Sequence, residues 1–188
     1  RVAVSAAGAG RPGVPDSPRM DTGGPTDRVV MDAGELDRFM HEAFGYPMAF
    51  TIEHVGTDGI RVRQPTSEAN RRPGGTVSGP TLMALADAVS YMSVLSRIGP
   101  EALAVTSSLN INFLRRPRLV DLVAEGRLLK LGRTLAVAEV SLYSDTGEPG
   151  DLERPVAHAT VTYSLALLGR DTVGAGDDGV DSTKGATG

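Results

Sequence analysis

One carboxylic acid stands inside a strongly apolar stretch of the chain. Residues 80–98 carry only two charged side chains, Asp87 near the middle and Arg97 at the end. Aspartate is a poor helix former, and burying its charge is costly unless hydrogen bonds compensate. An acid kept in such a place is a candidate general base or nucleophile. The alternative is that Asp87 points to solvent on a narrow polar stripe with Ser90 and Tyr91.

A glycine just before this stretch adds a second chemical group. Gly79 lies where a helix beginning at Pro80 would present free backbone N–H groups and the positive end of its dipole. An N–H group that points at a carbonyl can stabilise an oxyanion. The first turn and Asp87 are separated by roughly 11 Å of helical rise. One carbonyl can therefore meet both groups only if the chain folds back or if a partner subunit supplies one of them.

Other residue patterns with catalytic potential do not fit. The histidines His41, His54 and His158 lie on separate segments without the spacing of metal ligands, so we expect them to be structural and expect no metal. The chain has no cysteine, which excludes disulfides and a thiol nucleophile. Gly74-Gly75 is not followed by the Lys-Ser/Thr of a phosphate loop, and no serine lies in a nucleophile elbow.

The surrounding pattern predicts the elements that position these groups. They are a helix capped by Asp32 that ends at Phe44, hairpin strands over 49–55 and 60–63, a loop over 66–79, a helix over 80–98, and strands over 104–114, 119–131, 134–143 and 156–167. Strands without intervening helices indicate an antiparallel sheet, and a helix that is apolar nearly all round must be wrapped by it. The predicted fold class is α+β, a hotdog fold with a curled antiparallel sheet around one long central helix.

Composition sets the limits of the domain and of its partners. Residues 1–29 and 169–188 are rich in glycine and small polar residues, which predicts disordered tails on either side of one domain over 30–168. The net charge is -4 without a long basic run, so we expect no nucleic-acid partner. No apolar run reaches the roughly 20 residues of a membrane helix, and no secretory signal is visible. We therefore expect a cytoplasmic protein without a membrane partner.

Four motifs, in order along the chain, resemble one family of enzymes. They are GTVSGPTLMALAD at 75–87, AVTSSLNINFLRRP at 104–117, KLGRT at 130–134 and VAHAT at 156–160. They resemble motifs of PaaI-like acyl-CoA thioesterases in the hotdog-fold 4-hydroxybenzoyl-CoA thioesterase superfamily. The resemblance covers residues 48–167, nearly all of the predicted domain.

The resemblance implies an acyl-CoA thioesterase with its site at a dimer interface, in a homodimer or a homotetramer. No cofactor is implied beyond the CoA of the substrate. In such enzymes the residue at Asp87 activates water or attacks the carbonyl, the N–H at Gly79 polarises the carbonyl, and the hydroxyl at Thr106 helps orient water. The residues expected to bind substrate are Ser78 and Arg72 at the helix mouth, Leu82, Met83 and Tyr91 around the acyl group, Asn110 on the next strand, and Arg115 and Arg133 near the CoA phosphates.

Three positions depart from the family pattern. Ser78 stands where the family usually has histidine, and Pro80, which has no N–H, stands where it has a second glycine. Arg72 falls where the family often has asparagine, although Asn70 is near. Arg72 at the mouth could bind a carboxylate or phosphate, but loop arginines are more often simply solvated.

Two other functions stay open at this point. A hydratase or dehydratase of the same fold resembles a pattern whose acid lies about five residues after the glycine, a position that Ala84 holds here. The eight-residue spacing from Gly79 to Asp87 favours thioester hydrolysis instead. The missing histidine also allows a non-catalytic acyl-CoA-binding protein. The sequence identifies neither the acyl group nor the route, general base or nucleophile, that Asp87 would take.

Overall fold

Six antiparallel strands wrap a long helix in the computed structural model, which describes residues 28–45 and 48–165. The elements are helix α1 (Ala33–Phe44), strands β1 (Thr51–Gly56) and β2 (Gly59–Gln64), a 3-10 turn (Glu68–Asn70), short strands β3 (Arg71–Arg72) and β4 (Thr76–Val77), helix α2 (Gly79–Ile98), strands β5 (Val105–Phe113), β6 (Leu122–Leu131) and β7 (Leu135–Ser144), a second 3-10 turn (Asp151–Glu153) and strand β8 (Ala157–Ser164). The strand order is β1-β2-β6-β7-β8-β5, and β3 and β4 form a separate two-stranded pair. The predicted α+β hotdog class is confirmed.

Helix α1 begins and ends as its sequence predicts. Asp32 accepts a hydrogen bond from the N–H of Glu35, and the Glu35 side chain accepts one from the N–H of Asp32, which forms a capping box. Gly45 ends the helix in the left-handed region, at φ 73°. Leu36 and Met40 are fully buried, so α1 packs onto the core by one face.

Helix α2 lies against the concave face of the sheet. Ser78 caps it by accepting from the N–H of Thr81 at 3.4 Å, and Pro80 lies in its first turn. The sheet approaches the helix most closely at Gly126, where a Cβ atom would stand 2.6 Å from Val89 Cγ1 and 3.0 Å from Ser93 Oγ. A glycine at this position in β6 therefore allows the tight helix–sheet packing.

The segment predicted as a loop over 66–79 is more ordered than predicted. It contains the first 3-10 turn and the β3–β4 pair, with Gly74 and Gly75 at positive φ between the two short strands. Two-residue strands are too short to leave an alternating pattern, which explains why the sequence did not reveal them.

Some predicted boundaries lie outside the described residues. The structure does not describe residues 1–27 and 166–188. The predicted C-terminal tail, most of the predicted N-terminal tail and the end of the strand predicted to reach Leu167 lie in these two segments. Val30, at the described start, donates its N–H to the carbonyl of Ser96 at 2.8 Å. Within the described part of the chain, no helix is both long and apolar enough to cross a bilayer.

Candidate active site

Asp87 is partly buried on helix α2, and two hydroxyl groups hold its side chain. Thr106 Oγ1 donates to Asp87 Oδ1 at 2.8 Å, and Tyr163 Oη donates to the same oxygen at 2.7 Å. Tyr163 Oη also lies 2.9 Å from the main-chain oxygen of Asp87. Among the described residues, no cation pairs with the carboxylate and no donor reaches Oδ2. The carboxylate is thus fixed through Oδ1 while Oδ2 stays available.

The pairing of β5 with β8 brings the two hydroxyl groups together. Thr106 and Tyr163 are direct partners in this antiparallel pair. A register shift between Thr106 and Ser108 marks a β-bulge at Ser107. Because a bulge adds one residue to a strand, it returns Thr106 to the helix-facing side that Leu109 also occupies. Bulges commonly re-aim a side chain in this way next to functional sites.

Tyr163 is set deeply in the protein. It is 2% exposed, and its ring stacks on Tyr91 with centroids 5.8 Å apart and planes 24° apart. Burial raises the pKa of Tyr163 far above its usual value of 10.0, and the Asp87 carboxylate reinforces the increase. Burial also raises the pKa of Tyr91, whose hydroxyl donates to the carbonyl of Glu101 at 3.3 Å. Both phenols are therefore protonated donors in any neutral buffer.

A cleft of about 650 Å³ opens beside Asp87. Its polar wall consists of Gln64, Asn70, Thr81, Asp87, Thr106 and Tyr163, and its apolar wall consists of Met40, Phe44, Met48, Ala49, Phe50, Pro80, Ala84, Leu85, Ala88, Tyr91, Ala102 and Ala104. Within the described residues, no arginine, lysine or histidine lines it. The cleft therefore suits an uncharged apolar group whose reactive end lies at Asp87.

The N-terminus of α2 presents one unused donor. The N–H of Thr81 is used by Ser78, Pro80 has none, and no described group accepts from the N–H of Gly79. A Cβ atom at Gly79 would lie 3.3 Å from the Phe113 ring, so this ring covers the glycine closely. Gly79 can therefore offer its N–H to a carbonyl that approaches the helix mouth.

Of the residues predicted around the acyl group, Tyr91 lines the cleft and two others do not. Leu82 is buried in the core at 1% exposure, and Met83 is 40% exposed outside the cleft. Ser78 caps the helix and shares a hydrogen bond of 2.8 Å with the hydroxyl of Thr81. Besides Asp87, the cleft-facing positions of the middle of α2 are instead Ala84, one turn before Asp87, and Ala88, the residue after it.

The predicted polar contacts lie farther from Asp87. Arg72 is exposed, and its Nε donates to Thr76 Oγ1 at 2.9 Å, while Asn70 lines the cleft. Arg115 donates to the carbonyl of Pro155 at 2.8 Å. Asn110 is exposed on the edge strand β5, and Arg133 is exposed in the turn between β6 and β7. Their roles in substrate binding stay predictions.

The sequence analysis missed several residues of the site. Tyr163 and Gln64 were not singled out, and neither were Met40 and Phe44 of α1, which supply part of the apolar wall. Asn70 was noted only as lying near Arg72. A tyrosine on the inward face of the last strand was the available signal, since a buried phenol needs a partner for its hydroxyl.

A second hollow, of about 520 Å³, lies on the other face of the sheet, and we call it the outer hollow. It is lined by His54, Asp58, Gly59, Ile60, Arg61, Glu125, Gly126, Arg127, Glu139 and Ser141. Its carboxylates are paired: Arg61 with Glu125, Arg127 with Glu139, and His54 with Asp58 at 2.9 Å. Nowhere in residues 28–45 and 48–165 do three acidic, histidine or cysteine side chains gather as metal ligands would.

Known proteins are similar to this chain in fold and in sequence. A family model described as the thioesterase superfamily matches residues 74–150. A candidate esterase from Halobacterium salinarum is 30% identical over 121 residues, which are 60% of this chain and 79% of that protein. A candidate thioesterase from a Silicibacter species has a solved structure with a TM-score of 0.65 and 40% identity, covering 74% of this chain and 94% of its own. A candidate thioesterase from Ralstonia eutropha, named as related to phenylacetic acid degradation, has a TM-score of 0.57 and 26% identity, covering 68% and 98%.

The matches agree with the fold and with one another. The family model spans the helix that carries Asp87 and the strand that carries Thr106. The Halobacterium and Silicibacter proteins are covered over most of their length, and the names of all three relatives support a thioester hydrolase. The chain belongs to the thioesterase superfamily.

Proposed function

We propose that the protein hydrolyses acyl-CoA thioesters to a free acid and CoA, with Asp87 as the catalytic carboxylate. The observation that carries this proposal is a carboxylate without a cation partner, held by two hydroxyls on the wall of an apolar cleft. Such an acid has no evident structural purpose, since it forms no ion pair within the described chain. It stands where an apolar acyl group would place its carbonyl.

The chemistry can follow either of two routes. As a general base, Asp87 Oδ2 takes a proton from water while the water oxygen attacks the thioester carbonyl, and the tetrahedral intermediate expels the CoA thiolate. As a nucleophile, Oδ2 attacks the carbonyl, expels the thiolate and forms an anhydride that water then hydrolyses. Both routes need one free carboxylate oxygen, which agrees with the two hydrogen bonds that hold Oδ1.

The N–H group that donates a hydrogen bond to the substrate carbonyl at Asp87 would come from a second subunit. Thr106, beside Asp87, lies near the start of β5, and Phe113, against Gly79, lies at its end. These seven residue steps span roughly 23 Å along the strand. Gly79 and Asp87 of one subunit are themselves about two turns apart on helix α2, roughly 11 Å of rise, which is too far for both to contact one carbonyl. A carbonyl at Asp87 would therefore accept its hydrogen bond from the Gly79 N–H of another copy of the chain.

Strand β5 offers a way to bring that copy into place. It is an edge strand, and apolar side chains are exposed at both ends, Val105 at 50% and Phe113 at 53%. Such an edge favours pairing with another strand. Antiparallel pairing of β5 with its own copy reverses one strand, so Thr106 of one subunit approaches Phe113 of the partner subunit. We therefore propose a homodimer with two sites, while a homotetramer and a cytoplasmic location stay predictions.

The CoA phosphates would bind to arginines beside the helix mouth. Arg115, Arg116, Arg118 and Arg154 surround a small hollow of about 230 Å³ just beyond Phe113. Guanidinium groups suit bidentate phosphate contacts. Arg133 lies near the Thr106 end of the sheet, opposite the end where Arg115 lies. The proposed two-fold pairing would place Arg133 of one subunit near Arg115 of the other. Glu148 and Asp151 share the small hollow, so its net charge is modest.

An acyl-CoA panel with free-thiol detection tests the proposal. We expect thiol release from at least one thioester of an uncharged apolar acid. Binding of acyl-CoA in calorimetry without turnover would favour the binding-protein alternative. Hydration of an enoyl-CoA without thiol release would favour the hydratase, although Ala84 holds the position where that pattern has its acid. Strictly monomeric behaviour in light scattering at micromolar concentration would contradict the shared site.

A further inference from the structure

We propose that Tyr163 is a positioning residue which, together with Thr106, holds Oδ1 of Asp87 so that Oδ2 alone acts on water or substrate. The inference rests on the proposed function and deepens it. It assigns a role to a side chain on the last strand of the sheet, 76 residues from Asp87 in sequence.

The geometry separates the two oxygens of the carboxylate. Tyr163 Oη and Thr106 Oγ1 both reach Oδ1, at 2.7 Å and 2.8 Å. Within the described chain no donor reaches Oδ2. Hydrogen bonds donated to an ionised group are among the stronger ones in proteins, so this pair fixes the rotation of the carboxylate about its last bond. A reaction that uses one oxygen needs that rotation fixed.

Tyr163 is suited to this role because it cannot easily move or ionise. Its ring is 2% exposed and stacks on Tyr91, and its backbone pairs with Thr106 in the sheet. Burial keeps its hydroxyl protonated, as described above. The titratable groups that face the cluster are Asp87, Tyr163 and Tyr91, with Glu101 beyond the Tyr91 hydroxyl. The main-chain oxygen of Asp87, 2.9 Å from Tyr163 Oη, is a second acceptor, and Oδ1 at 2.7 Å is the nearer of the two.

Replacing Tyr163 with phenylalanine removes one donor and keeps the ring. We expect kcat to fall about tenfold with KM nearly unchanged, since a charged hydrogen bond is lost and the apolar wall remains. A carboxylate that loses a donor holds its negative charge less well, so it is protonated at a higher pH. The acidic limb of the kcat/KM profile should therefore move to higher pH.

Tyr91→Phe is the matched control. It makes the same chemical change in the stacked neighbour, whose hydroxyl bonds to Glu101 rather than to Asp87. We expect no shift in its acidic limb, because both hydrogen bonds to Asp87 Oδ1 remain. Thr106 provides a second test, in which Thr106→Ser should retain the wild-type limb and Thr106→Val should move it upward.

The experiment is the pH profile of thiol release for these variants, with thermal unfolding to confirm that each is folded. A shifted limb in Tyr163→Phe and Thr106→Val, but not in Tyr91→Phe or Thr106→Ser, supports the inference. An acidic limb in Tyr163→Phe that matches those of Tyr91→Phe and the wild type overturns it. If Tyr163→Phe does not fold, the acidic limbs of Thr106→Ser and Thr106→Val are compared instead. An unmoved limb in Thr106→Val overturns the inference that the two hydroxyls together position Oδ1. Loss of activity in Asp87→Asn beside an unaffected Tyr163→Phe would refute this inference alone, whereas a wild-type rate in Asp87→Asn would refute the proposed function itself.

Discussion

The cleft beside Asp87 and the outer hollow on the opposite face of the sheet are similar in size and opposite in chemistry. The two measure about 650 Å³ and 520 Å³. In the outer hollow both glutamates have an arginine beside them: Glu125 pairs with Arg61, and Glu139 pairs with Arg127. In the cleft the one carboxylate, Asp87, is held by neutral hydroxyls against an apolar wall.

Concavity alone therefore does not identify a site in this molecule. Paired charges on a solvated sheet face satisfy one another and contribute little to stability individually. An acid held by neutral donors keeps its reactivity for an added partner. The chemistry of the lining therefore favours the cleft, and the comparison predicts how each region responds to substitution.

A large recovery of activity is expected from mixing two inactive variants. Asp87→Asn removes the acid, and Gly79→Val crowds the helix mouth, because even a Cβ there would lie 3.3 Å from the Phe113 ring. If each site combines Asp87 of one subunit with Gly79 of the other, a mixed dimer has one intact site of two. Since half of the dimers in an equal mixture are mixed, about a quarter of the wild-type rate should return.

Thiol release after co-refolding of the two variants measures this recovery. Each variant refolded alone is the control for residual activity. A mixture no more active than the separate variants, with mixed dimers shown to be present, would mean that each site lies within one subunit.

A smaller effect is expected from filling the two hollows in turn. Ala88 lines the cleft one position after Asp87, and Ser141 lines the outer hollow. Ala88→Leu should raise KM for the preferred acyl-CoA roughly tenfold, because the added carbons take space from the acyl group. Ser141→Leu should leave KM unchanged. Steady-state kinetics measures both KM values, and an equal rise in the two variants would contradict the assignment of the cleft as the acyl site.

The smallest effects are expected from the ion pairs of the outer hollow. Glu139→Gln breaks the pair with Arg127, and we expect at most about 1 kcal/mol of lost stability with no change in kcat/KM. Urea unfolding and thiol release give the two readouts. A clear loss of activity in a folded Glu139→Gln protein would mean that the outer face takes part in the function.

The sequence predicted the features that depend on local patterns. The cap at Asp32, the start of α2 at Ser78 and Pro80, and the lone acid at Asp87 can each be recognised from a few neighbouring residues. The alternation of apolar residues was also enough to predict the antiparallel sheet and its central helix.

The features that the sequence did not predict depend on strand register and on which side of helix α2 faces the cleft. Tyr163 meets Asp87 only because β8 pairs with β5 in one register and a bulge at Ser107 re-aims Thr106. Helix α2 is apolar nearly all round, so no stripe indicated that Ala84 and not Met83 faces the cleft. Such contacts between distant segments cannot be read from the spacing of residues along one element.

The most direct test of the central claim is the rate of thiol release by Asp87→Asn, measured beside Glu125→Gln on the same acyl-CoA. Both substitutions replace a carboxylate with its amide, one in the cleft and one in the outer hollow. We expect Asp87→Asn to be slower than wild type by about 1,000-fold, within the range for loss of a catalytic base, and Glu125→Gln to match wild type. A folded Asp87→Asn protein that releases thiol as fast as Glu125→Gln would contradict the assignment of Asp87 as the catalytic carboxylate.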